Sequence, residues 1–316
     1  MKMVRNASLL FCILISVSVS AQQMPEHTQF PSLLFQINPA YTGTKGTIDA
    51  RANYRKQWMG FSGAPVTQFV GAHSRLLKGR VGLGATMYKD QLGPLQMFDY
   101  GFSAAYHLHF PDVEFSAGIG IRFNKYTINS GDMTTHWEGD PAVTPGITEF
   151  DKTKNAVAGL LLYNDRFHFG LGVMNVISSK ALFGGIGATV KFKQHYYFSF
   201  GYNFHGHPDY VWENNLLCEY VDGLPITINY NLRVHFREKL MFGAAWRLKD
   251  AVALQAGWLF FKSVQLVYSY DIGISKLRGG HNGTHEVTLG YRFDFENKKS
   301  SYRNFNSFQK QRYHIF

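Results

Sequence analysis

From His285 to Phe295 the chain alternates at every position. Val287, Leu289, Tyr291, Phe293 and Phe295 fall on one phase; Glu286, Thr288, Gly290, Arg292 and Asp294 fall on the other. A period of two sends successive side chains to opposite faces, so this is a β-strand with one apolar and one polar face. Alone, such a strand can bury neither its apolar face nor its backbone. The remaining residues must supply its neighbours.

Similar segments recur along the chain. Ala50, Ala52 and Tyr54 oppose Asp49, Arg51, Asn53 and Arg55, and Phe102, Ala104, Tyr106 and Leu108 oppose Gly101, Ser103 and His107. Phe115, Ala117, Ile119 and Ile121 oppose Ser116, Gly118, Gly120 and Arg122; Tyr196, Phe198, Phe200 and Tyr202 oppose Ser199, Gly201 and Asn203; Ile228, Tyr230, Leu232 and Val234 oppose Asn229, Asn231, Arg233 and His235. Weaker alternation covers 66–74, 81–88, 155–163, 166–174, 212–221, 240–248, 251–259 and 262–272. Together with the last strand they predict about fourteen, several near the ~9–11 residues of a tilted membrane strand, with twelve or sixteen as alternatives. Gly187 to Phe192 reads as a lead-in to the strand at Tyr196. No segment shows helical periodicity.

Loop lengths point the same way. The even connections, such as Pro111-Asp112, Asn164-Asp165 and Arg237-Glu238, are short; the odd ones include the three longest, near 127–154, 175–188 and 273–284. Short turns on one rim and long loops on the other mark an outer-membrane barrel. In hydrocarbon only a closed sheet pairs every backbone group. Periodicity alone does not say which phase faces in, because a water-soluble barrel reverses the arrangement.

The N-terminus favours the membrane. Lys2 and Arg5, the apolar run Leu9 to Val19 and the small residues Val19-Ser20-Ala21 form a secretory signal peptide over 1–21, a buried N-terminal helix being the alternative. Cys12 lies within that run, so the mature chain retains only Cys218 and has no internal disulfide. The formal net charge of +10 comes from residues scattered singly along strands, which argues against a nucleic-acid partner. The expected organisation is a transmembrane antiparallel up-and-down β-barrel over 47–295, an N-terminal periplasmic or plug segment over 22–46, and a basic periplasmic tail over 296–316. Inward glycines at 101, 118, 120, 170 and 172 either leave lumen space or ease curvature.

Particular residues then suggest a family. Asn38-Pro39-Ala40-Tyr41-Thr42-Gly43 precedes the first strand, and Tyr54-Arg55-Lys56-Gln57-Trp58-Met59-Gly60-Phe61 closes it. Asp90-Gln91-Leu92-Gly93-Pro94, Tyr268-Ser269-Tyr270-Asp271-Ile272 and the last strand follow in order. This series resembles the PorP/SprF family of Bacteroidetes, outer-membrane barrels tied to type IX secretion and gliding. The polar-x-Gly-x-x-aromatic-x-aromatic spacing of Thr288, Gly290, Phe293 and Phe295 resembles the assembly signal of outer-membrane barrels. The resemblance implies a non-enzymatic accessory in the cell outer membrane that supports export or surface attachment of a secreted protein or adhesin. The implied partners are the client's C-terminal domain, type IX components including a periplasmic peptidoglycan-binding protein, and outer-membrane lipid; no cofactor is implied. An outer-membrane porin or solute channel is the alternative, and an outer-membrane enzyme a third reading.

Individual motifs keep two readings open. Asn38, Pro39 and Tyr41 are either turn chemistry or contacts to a plug or partner. Trp58, Gly60 and Phe61 read as an interfacial aromatic anchor or a surface docking loop. Asp271 reads as the anchor of a loop through a hydrogen bond near the outer rim. His205-x-His207 is explained by a turn without metal, and the spacing of Asp132, Glu138 and Asp140 does not match an EF-hand.

Overall fold

The computed structural model describes residues 26–45, 48–76, 79–132, 146–177, 180–183, 188–237, 239–261, 263–275 and 279–293. The expected signal peptide over 1–21, the expected basic tail over 296–316 and Phe295 lie outside them. Within them the strands are β1 (Ile48–Lys56), β2 (Val66–Leu76), β3 (Val81–Leu92), β4 (Leu95–His109), β5 (Glu114–Asn129), β6 (Thr148–Tyr163), β7 (Phe167–Met174), β8 (Lys180–Phe183), β9 (Ala188–Lys191), β10 (His195–His207), β11 (Tyr210–Val221), β12 (Thr227–Phe236), β13 (Leu240–Arg247), β14 (Ala251–Phe260), β15 (Val264–Gly273) and β16 (Thr284–Phe293). All but β8 and β9 form one closed antiparallel barrel of fourteen strands. Closure is made by β1 on β16, in register from Ile48 opposite Phe293 to Lys56 opposite His285.

The two phases separate as a membrane requires. Phe102, Ile119, Leu254 and Leu289 stand exposed on the outer wall, Ile119 at 69%. Asp49, Arg51, Asn53 and Arg55 of β1 and Glu286 and Thr288 of β16 are buried in the lumen. Outward apolar side chains meet lipid, while inward polar ones find partners across the lumen. Connections on one rim are tight, as at 110–113, 164–166 and 208–209; on the other they include 57–65, 130–147, 175–194 and 274–283. That second rim faces outward.

In two places the outer rim differs from the sequence reading. The expected loop over 127–154 is shorter, because β5 and β6 stay paired up to Asn129 opposite Thr148. Phe150, Lys152 and Lys154 share an exposed phase there, with Lys125 4.7 Å from the Phe150 ring centroid, so the polar composition hid a strand above the lipid. Residues 188–191 do not lead into β10; β9 pairs with β8 in a separate two-stranded hairpin, from Lys180 opposite Lys191 to Phe183 opposite Ala188. Ala181 and Phe183 bury against Tyr126 of β5, whose ring also stacks on Phe192 at 4.4 Å. The hairpin covers apolar side chains that the tall strands lift out of the membrane.

Arg placed on the outer wall at mid-strand must enter hydrocarbon. Leu254→Arg is therefore expected to lower unfolding free energy in lipid vesicles by about 2–4 kcal/mol, measured by denaturant titration.

Candidate functional site: a plug through the barrel lumen

Residues 26–45 run inside the barrel from the outer end to the inner end. Their apolar residues, Phe30, Leu33, Leu34, Phe35, Ala40 and Tyr41, pack on Phe69, Tyr88, Val157, Leu161 and Tyr197 of the wall. Short helical turns at Phe30–Ser32, Leu34–Ile37 and Pro39–Tyr41 compact the segment. Such turns suit a lumen, because each satisfies part of its own backbone where water is scarce.

The outer end of the plug is held by charge. Arg55 donates from Nη1 to Glu286 Oε2 at 2.8 Å and from Nη2 to Asp271 Oδ2 at 2.9 Å. Thr28 is the residue they clasp. Its hydroxyl donates to Asp271 Oδ2 at 2.7 Å and accepts from Arg55 Nη1 at 3.1 Å and Arg247 Nη2 at 3.0 Å. One donor and two acceptors use the whole capacity of a hydroxyl. Its backbone N–H donates to Glu286 Oε2 at 2.9 Å, and that of Gln29 donates to Oε1 at 3.3 Å. Glu26 completes the clamp through an ion pair, its Oε2 2.8 Å from Arg247 Nε. Burial is the larger influence on the Glu26 carboxyl and raises it above the usual range, with Arg247 opposing.

The middle is held by shape. Asn38 caps the turn at Pro39–Tyr41, accepting from Ala40 N at 2.9 Å, while its Nδ2 donates to the Leu160 and Leu171 carbonyls at 3.2 and 3.0 Å. The wall behind it lacks side chains. A Cβ on Gly159 would lie 2.0 Å from Asn38 Oδ1, and one on Gly118 would lie 2.4 Å from Ala40 N. Of the glycines expected to face inward, Gly118, Gly170 and Gly172 seat the plug together with Gly159, whereas Gly101 and Gly120 face only neighbouring wall residues. Nearby, Arg122 is fixed on Asp99 and donates from Nη1 to the Gln36 carbonyl at 3.2 Å.

The inner end is held by wall side chains on plug backbone. His107 Nε2 donates to the Thr42 carbonyl at 2.9 Å, Arg75 Nε donates to the Gly43 carbonyl at 2.7 Å, and Gly43 N donates to His73 Nδ1 at 3.1 Å. Gly43 takes a φ of +84°, a conformation that side chains resist, and its Cα faces Gly82 too closely for a Cβ. Arg75 is itself fixed by Glu114 at 2.9 Å and by the Tyr163 hydroxyl. Lys45 ends the plug. Burial and then Arg292 lower its ammonium to about 8.

The structure thus places Asn38, Pro39 and Tyr41 in the lumen, Tyr41 with its hydroxyl 3.0 Å from Ser199 Oγ. Asp271 anchors the plug and Arg55 rather than a loop. Trp58 has a φ of +46° where the chain leaves β1, and it lines a crevice with Arg55, Asp271 and Thr284. Gly60 and Phe61 lie on a loop tied to the 274–283 loop through Met59 N to Gly283 O at 2.9 Å and Asn282 N to Met59 O at 2.7 Å. On β16, Thr288 Oγ1 accepts from Asn53 Nδ2 at 2.8 Å, Gly290 makes room for Arg51, and Phe293 faces out. His207 Nδ1 accepts from Asp209 N at 3.1 Å, a turn contact.

Thr28, Arg55, Arg247 and Glu286 escaped the sequence reading as a site. Their signal was present: single charges on the inward phase of membrane strands are costly unless they meet a partner.

Removing Arg55 leaves Asp271 and Glu286 short of their shared cation. Arg55→Ala is expected to cost about 3–5 kcal/mol in reversible denaturant unfolding, more than an outward substitution nearby. A gentler variant reports on the plug itself. With Cys218→Ser to remove background, a Ser32→Cys thiol should label slowly with a charged maleimide, and Gly159→Val should speed labelling severalfold by displacing Asn38.

The sequence from residue 19 to 291 matches the family model of the type IX secretion system membrane protein PorP/SprF. A search of curated proteins finds no match. Among solved structures, the chain is similar to the Acinetobacter baumannii outer membrane protein Omp33, with 7% identity, 78% of this chain and 98% of that one covered, and a TM-score of 0.47. It is also similar to the CymD monoaromatic hydrocarbon channel, at 10% identity, 85% and 92% coverage and a TM-score of 0.48. The translocator domain of the autotransporter NalP from Neisseria meningitidis gives 12% identity, 92% and 98% coverage and a TM-score of 0.39. With its family model spanning nearly all the described barrel, this chain belongs to the PorP/SprF family of type IX secretion system membrane proteins.

Proposed function

We propose that this barrel is a non-catalytic accessory of type IX secretion that supports export or surface attachment of a secreted protein. The chain is an outer-membrane protein of that system by family and fold. The observation that supports an accessory role over solute transport is the plug. A segment fixed to the wall at Thr28, Asn38 and Thr42–Gly43 occupies the path that a solute would take. Work is then left to the rims.

The outer rim is the one built for contact. It raises the β5–β6 hairpin above the lipid, braces it with β8–β9, and leaves Phe150, Ile177 and Leu182 exposed. Apolar side chains held on a rigid support, outside both lipid and core, suit a protein partner. The secreted client's C-terminal domain is the partner we assign to this rim. A peptidoglycan-binding component of the system would meet the inner rim, beneath the short turns.

Deleting the gene is expected to remove a specific secreted protein from the cell surface while small-solute uptake stays unchanged; an unaltered surface proteome by mass spectrometry would refute the accessory role. In planar bilayers the purified barrel should show no large stable conductance, whereas a steady open channel would favour a porin.

A further inference from the structure

The plug does not fill the lumen completely. A cavity of about 150 Å³ remains toward the inner end, between Leu34, Phe35 and Tyr41 of the plug and Phe167 and His168 of β7, with Lys45 at its edge. That is room comparable to a hollow that accepts a benzene ring. Asn164 and Asp165 of the β6–β7 turn border it, so it opens toward the periplasmic side.

The charges around this space are unevenly matched. Asp49 holds Arg51, accepting from Nε at 2.6 Å and Nη2 at 2.8 Å. Glu213 accepts from His235 Nε2 at 2.8 Å and from Asn215 Nδ2 at 2.9 Å. Both inner acids are therefore engaged, and Asp165 sits in the turn at the mouth, where water reaches it. Lys45 makes no ion pair or hydrogen bond among the described residues, although Asp49 and Glu213 attract it from a distance. His168 Nε2 is buried without a partner at this cavity. A buried donor left unmatched is costly, so this side of the cavity is short of an acceptor.

We propose that the cavity binds a carboxylate borne on a small apolar or aromatic body. Lys45 is its counter-ion, the His168 Nε2–H donates to it, and Phe35, Leu34 and Phe167 take up the apolar part. The same chemistry is offered by a free periplasmic carboxylate and by the carboxyl end of a polypeptide that reaches up from the inner rim. Neither source depends on the role in secretion proposed above, because the site lies at the opposite end from the outer rim.

Calorimetric titration of the full mature protein in detergent tests this with three probes: benzoate, benzamide, and an acetylated tripeptide ending in phenylalanine with a free carboxylate. Benzoate is expected to bind saturably and benzamide at least about tenfold more weakly, as loss of a charged hydrogen bond predicts. Lys45→Gln should weaken benzoate by about tenfold, while Lys45→Arg keeps most of the affinity. Lys45 makes no hydrogen bond or ion pair among the described residues, so both variants should unfold close to the wild type. Tighter binding of the peptide than of benzoate would assign the site to a polypeptide end, and the reverse would assign it to a free carboxylate. Failure of both to bind, equal binding of benzamide, or indifference to Lys45→Gln would overturn the proposal.

Discussion

Hydrocarbon offers the backbone no water, and this single constraint decides the shape of the molecule. Each strand edge that reaches the membrane needs another strand, so β1 and β16, the ends of the wall in sequence, have to pair with each other. Closure then fixes the rest. A ring of fourteen strands gives every residue one of two environments, and the two phases of each strand sort themselves accordingly. The same ring also encloses a volume wider than its own inward side chains fill.

That volume is dealt with by the chain's own N-terminal segment. The means are polar at both ends and steric in the middle. Buried ion pairs are weak contributors to stability, because desolvation offsets most of their attraction. Their value here lies in placement. Glu286 accepts two successive backbone N–H groups of the plug, and Asp271 accepts the Thr28 hydroxyl, so the plug can sit in only one register without orphaning charges. Asn38 then spans to wall carbonyls across a patch that only glycine permits. The apolar face of the plug contributes the net favourable burial, and the polar contacts fix where it happens.

Much of the barrel was legible because period-two patterning survives in a membrane strand. Tyr196 to Tyr202 and Val287 to Phe293 announce both their structure and their orientation once lipid is assumed. Where lipid stops, so does the signal. Phe150, Lys152 and Lys154 lie on a strand in water, where charge on the outward phase is tolerated, so β6 began earlier than its apolar residues indicated. The plug was harder to see for a different reason. Asn38-Pro39 looks the same whether a turn faces solvent or a wall of glycines, and the pairing of Thr28 with Asp271 spans 243 residues. Local pattern holds no information about such separation. Trp58 shows the same limit, since an aromatic residue at a strand end suits the lipid interface, and its place in a crevice beside Arg55 and Asp271 depends on strands far apart in sequence.

The division between the rims follows from the same physics. Turns of two to four residues on the inner rim leave little surface to build on, so recognition there falls to what the lumen presents, including the plug's own end at Lys45. Long outer loops are free of the register of the wall, yet they are not left loose: the 57–65 loop is hydrogen-bonded to the 274–283 loop, and β8–β9 is packed on β5. Ordering these loops in advance lowers the entropy lost when a partner docks. A lumen crossed by a segment fixed at both ends and an outer rim ordered before any partner arrives are the two features that support the accessory role proposed above over the passage of solutes.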